Sequence, residues 1–145
     1  MNRVDIIRRV AKEIQLEHSH NLGPVFYHGP LMLPFLRDGD LLIVHPVSFE
    51  EVRCGDIITF RDSEKFPTAR VIQKHRDWLR VKSDNFPILR QVPAADLLGR
   101  VEERHRDGRR DRRTSIPWRL FTQYTLLHTR LSALRSRTVR RTATR

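Results

Sequence analysis

Cysteine is almost missing from this chain, which carries Cys54 alone among 145 residues. One thiol cannot close an internal disulfide and offers no metal-ligand spacing, so a reducing, cytoplasmic setting is the simplest expectation. Long apolar runs are missing too. The longest are pieces such as Leu41 to Val44, far short of the roughly 18 to 20 residues of a spanning helix. Arg8, Arg9, Lys12 and Glu13 interrupt the N-terminus, so it lacks the apolar core of a secretory signal. Together these gaps predict a soluble chain, or one attached peripherally at the cytoplasmic face of a membrane. Seven histidines occur without a close-spaced pair of ligand type, and His18 and His20 would not share a helix face. No metal and no other cofactor is expected, and no internal repeat is visible.

Acidic residues are missing from one region in particular. Residues 1–103 balance fifteen Lys or Arg against fifteen acids, whereas Arg104 to Arg145 holds thirteen Arg against Asp107 and Asp111. The formal charge of +11 therefore belongs to the tail. A basic surface there would attract an anionic membrane, nucleic acid or an acidic protein.

The length fits one domain with a helical appendage. Val4, Ile7, Val10, Ala11 and Ile14 recur at helical spacing, predicting an amphipathic helix within residues 1–22. Breakers from Gly23 to Pro34 mark a loop or short strand. Leu41 to Val44, Asp56 to Phe60, Ala69 to Gln73 and Trp78 to Lys82 then read as short strands bounded by turns. Pro93 to Gly99 reads as one helical turn before a last strand, Arg100 to Glu103. The fold class expected is mainly β: a compact, mostly antiparallel domain over residues 23–103 with terminal helices. Over residues 104–145, the charge run Arg106 to Arg113 reads as a linker. Ile116, Leu120, Tyr124, Leu127, Leu131 and Leu134 then step by three and four, predicting a second amphipathic helix. With Trp118, Phe121 and Tyr124 along it, that helix suits a membrane interface, packing on the β-domain, or self-association.

The segment His28-Gly29-Pro30-Leu31-Met32-Leu33-Pro34, followed by Gly39-Asp40 opening a strand, resembles the nucleophile segment of type I signal peptidases, whose order is glycine, any residue, serine, methionine, any residue, proline. Cys54 to Phe60 is similar to that family's second Gly-Asp strand. Ala69-Arg70-Val71 resembles the strand in which lysine or histidine stands before Arg-Val. Ser83-Asp84-Asn85 resembles the Gly-Asp-Asn segment of the histidine-using branch, and Gly99-Arg100-Val101 its closing strand. The set spans Tyr27 to Val101, about half of the chain. The resemblance implies the fold shared by signal peptidases and LexA-like autopeptidases, and serine-type endopeptidase activity on signal peptides.

That activity needs a serine oxygen to attack the scissile carbonyl, a base to take its proton, and backbone N–H groups for the oxyanion. Leu31 stands at the serine position and Ala69 at the base position. Hydrocarbon can neither attack nor carry a proton. Asp84 occupies the third position with no histidine to orient. The expectation is a non-catalytic protein that binds an extended peptide or precursor along Gly29, Pro30, Leu31, Met32, Leu33, Pro34, Ala69 and Arg70, since main-chain recognition survives loss of catalytic side chains. Two alternatives stand beside it. One is a hydrolase with a relocated nucleophile such as Ser83 or Thr68, and the other is nucleic-acid binding through the Arg-rich tail.

Overall fold

The computed structural model describes residues 24–142, with side chains to residue 135, so the helix expected over residues 1–22 lies outside the described residues. Eight strands form one antiparallel sheet: β1 (Pro24–Phe26), β2 (Leu41–His45), β3 (Ile57–Phe60), β4 (Thr68–Lys74), β5 (Trp78–Lys82), β6 (Leu89–Pro93), β7 (Leu97–Arg106) and β8 (Arg109–Arg112). A single described helix, α1 (Ile116–Thr142), follows. The mainly β class read from the sequence is the class observed.

Strand order is β1-β2-β7-β3-β4-β5-β6, with β8 added beside β7. The ten-residue β7 organises the sheet. It pairs with β2 along most of its length, with β3 through Leu97–Arg100, and with β8 through Glu103–Arg106. In β2 all of Leu41 to Val44 are buried, because alternation sends Leu42 and Val44 into the cluster with Trp118 and sends Leu41 and Ile43 against Phe26. In β5, Leu79 and Val81 face a second cluster with Val52, Ile58, Phe60, Ala69, Val71 and Val92, while the residues between them are partly exposed.

Two segments depart from the sequence reading. The run Arg106 to Arg113 is a hairpin rather than a linker. Asp107 (φ 50°) and Gly108 (φ 76°) both take positive φ, the backbone that lets a two-residue turn join twisted antiparallel strands. Carboxylates make so basic a ribbon tolerable: Arg104 meets Asp111 at 2.5 Å, Arg106 meets the buried Asp40 at 2.5 Å, Arg113 meets Glu102 at 2.8 Å, and Arg110 pairs with Glu103. The hydrogen bond to Asp40 holds the Arg106 guanidinium above its ordinary pKa. The expected helical turn Pro93 to Gly99 shrinks to a 3-10 turn at Ala94–Asp96, with Leu97 already in β7. Strand β6 had no sequence signal, since only Val92 of its five residues is buried.

Glu103 supplies a pH test of the hairpin. Burial pushes its carboxyl up, but hydrogen bonds from His105 and Arg110 outweigh that and hold it down at about 2, against 4.5 unperturbed. A depressed folded-state pKa contributes stability that is complete above about 4.5 and is lost as pH falls toward 2. Urea melts across that window should show Glu103→Gln losing on the order of 2 kcal/mol of the pH dependence. An unchanged slope would refute the assignment.

Helix α1 also departs, in its orientation. Trp118 is 4% exposed and Leu126 is buried, with Phe121, Thr122 and Thr125 partly covered beside them. Trp118 meets Phe35 edge-on at 4.7 Å and Phe121 stacks on it at 5.0 Å. Gly55, at φ +96°, lies so close beneath that a Cβ there would fall 2.5 Å from Thr122 Cγ2. The helix thus packs on the β-domain through a mixed Trp/Phe/Thr/Leu face. The stripe read from the sequence, Ile116, Leu120, Tyr124, Leu127, Leu131 and Leu134, is 51–72% exposed, so of the three readings open for it packing on the β-domain does not hold.

Candidate functional site

The residues that resemble a peptidase centre lie on three segments that the backbone ties together. Between β1 and β2 the chain turns tightly: Leu33 N–H reaches Pro30 O, Leu36 N–H reaches Met32 O, and Met32 N–H donates to the Tyr27 hydroxyl at 3.0 Å. Gly29, at φ 101°, donates to Asp38 Oδ1, which also meets His28 Nδ1 at 3.2 Å. His28 is therefore held by an exposed carboxylate of its own loop. From the loop after β5, Asn85 N–H donates to Leu31 O at 2.9 Å and Asn85 Nδ2 to Pro30 O at 3.1 Å. The neighbouring Asp84 grips Arg70, and Arg70 follows Ala69 in β4.

Within this cluster the eight residues proposed for peptide contact separate. Leu31 is 39% exposed, and Gly29, Pro30, Leu33 and Pro34 are exposed or half-exposed around it. Met32 is fully buried with Phe35 and Leu36, so it is core. Ala69 is buried, and its methyl group belongs to the cluster of Val52, Ile58 and Val71 rather than to that of Met32. Arg70 is completely buried and is not a surface for peptide side chains.

Arg70 is instead the polar centre of the fold. Its Nε and Nη2 donate to the two oxygens of Asp84 at 2.7 and 2.8 Å, and its Nη1 donates to Gly55 O and Thr122 Oγ1, each at 3.0 Å. The guanidinium also lies 5.2 Å from the Phe35 ring centre and 5.7 Å from that of Phe121. Asp84 therefore is not idle, as the missing histidine suggested. Each of its oxygens accepts a guanidinium bond from Arg70, a structural role in the fold. Thr122 and Gly55 escaped the sequence reading. The visible signal was an arginine inside the apolar strand Ala69-Arg70-Val71-Ile72, which demands a buried acid nearby.

At the two positions that resemble nucleophile and base, Leu31 and Ala69 carry only hydrocarbon. Ser83 is buried, and Thr68 Oγ1 faces Thr59 Oγ1 at 3.2 Å. Phe86 and Ile88 on the same loop as Asn85, and Leu89 at the start of β6, are all exposed. A recess of about 240 Å³ lies between Pro34–Phe35 and Trp118–Phe121 of α1. Among the described residues there is no group of three or more His, Cys, Asp or Glu able to hold a metal, and no helix long and apolar enough to cross a membrane.

Compared with family models, with curated proteins and with solved structures, the chain matches none of them.

Proposed function

We propose that the protein is a signal-peptidase-like domain with its dyad replaced, one that holds an extended peptide or precursor segment without hydrolysing it. One observation carries the reading. The segments resembling the nucleophile, base and Gly-Asp-Asn motifs are bound to one another through Asn85 and the Asp84–Arg70 pair, while the two chemical positions hold Leu31 and Ala69. The bonds that shape the turn are main-chain or framework bonds, so the turn keeps its form without catalytic side chains. Leu31, Phe86 and Ile88 then supply exposed apolar contact for peptide side chains.

Fluorescence anisotropy with labelled signal or leader peptides tests this directly. Binding without cleavage is expected, and Leu31→Asp should weaken it at least about tenfold by placing a charge in a desolvated apolar contact. Turnover that survives Leu31→Ala would overturn the inactivity. Absence of any peptide binding would overturn the function.

A second reading, nucleic-acid binding, would rest on the arginines beyond the hairpin, since Arg104, Arg106, Arg110 and Arg113 are each bound to a carboxylate of the fold.

A further inference from the structure

Half of the exposed large hydrophobic side chains among the described residues lie on the outer face of α1. Ile116, Leu120, Tyr124, Leu127, Leu131 and Leu134 are each more than half exposed. At about 100° per residue they form one stripe, about half a turn away from Trp118, Thr122 and Leu126, which hold the helix on the sheet. The stripe runs about 27 Å along the axis at 1.5 Å per residue. Isolated exposed leucines need no explanation, but a continuous ridge of six large side chains does.

Charge says what covers it. From residue 114 to the end of the chain there are seven Arg and no Asp or Glu. On the helix, Arg119 and Arg130 fall about 80° to one side of the stripe and Arg135 about 60° to the other, so cations flank the apolar ridge on both sides. A second copy of the helix paired in parallel would set two of these arginines against each other. In a parallel pair with Leu120, Leu127 and Leu134 at d, Arg130 at g faces Arg135 at e of the partner, a like-charge contact. Tyr124 would then fall at an a position, with its hydroxyl sealed in the seam. At a lipid interface the same features are favourable. Leucines enter the acyl boundary, the Tyr124 phenol reaches headgroup depth, and the long arginine side chains bend up to phosphate.

We infer that α1 is an interfacial helix that seats the protein on an anionic lipid surface through its Leu120–Tyr124–Leu127–Leu131–Leu134 stripe, with the β-domain held on the water side. The inference stands apart from whatever the candidate site binds.

Co-sedimentation of the full chain with vesicles tests it. Binding to mixed phosphatidylcholine and phosphatidylglycerol vesicles should exceed binding to pure phosphatidylcholine at least about tenfold and fall steeply with salt. Leu127→Glu with Leu131→Glu should abolish binding, and each of Arg119→Gln, Arg130→Gln and Arg135→Gln should lower the partition coefficient about three- to fivefold. All five positions are exposed, so the thermal midpoint should hold, and peptide affinity in solution should be untouched. Vesicle binding indifferent to these changes overturns the inference. So does a dimer in light scattering that Leu127→Glu dissociates, or capture of an acidic amphipathic helical peptide with no affinity for anionic vesicles.

Discussion

Arg70→Ala should lower the free energy of unfolding by about 3–5 kcal/mol in urea denaturation, the range for leaving one member of a buried ion pair alone. The reason is local. Asp84, whose side chain is 2% exposed, would be left buried with both guanidinium bonds gone, and Gly55 O and Thr122 Oγ1 would lose a shared donor. Removing both charges should hurt less than removing one. Arg70→Met with Asp84→Leu replaces the pair by hydrocarbon and is expected to recover at least about half of the single-mutant loss. As a control, Arg90→Ala breaks a pair whose side chains are both nearly half exposed and should stay within about 0.5 kcal/mol of the parent. If Arg70→Ala behaved like Arg90→Ala, the guanidinium would not be the polar centre described above.

Trp118→Ala should cost a comparable amount, about 3–5 kcal/mol, because a large buried aromatic is deleted between α1 and the sheet. Phe35 loses its edge-on partner, and the cluster of Met32, Leu36, Leu42 and Ile57 opens beneath it. On the other side of the helix, Leu127→Ala should change stability by no more than about 0.5 kcal/mol. The comparison reads the orientation of α1 directly in thermal or urea melts. A large loss at Leu127 with little at Trp118 would mean that the helix docks through the opposite face.

Much of the sheet was readable before any coordinates. Strands β2 to β5 announce themselves as short runs rich in Leu, Ile and Val, alternating with polar residues in β5, and polar turns separate them. Strand β6 did not, because a strand that buries one residue in five leaves no period to detect. The β7–β8 hairpin was hidden by its charge. Local reasoning sees Arg, Asp and Gly as a solvated run, while the carboxylates that pair with it come from Asp40, Asp56, Glu102 and Glu103 as well as from Asp111 inside it.

The candidate site divided in the same way. Sequence alone settles that Leu31 and Ala69 carry no ionisable or nucleophilic group, because that is a property of the residues themselves. It also settles the strand periodicity and the excess of arginine in the tail. Only the tertiary structure decided that Arg70 closes on Asp84, that Met32 belongs to the core while Leu31 faces outward, and that α1 docks by Trp118 and leaves its leucine stripe exposed. Periodicity states which residues share a face, but which face is covered depends on groups distant in the chain. For this helix those groups are Phe35 and Gly55, which leave room for tryptophan and threonine.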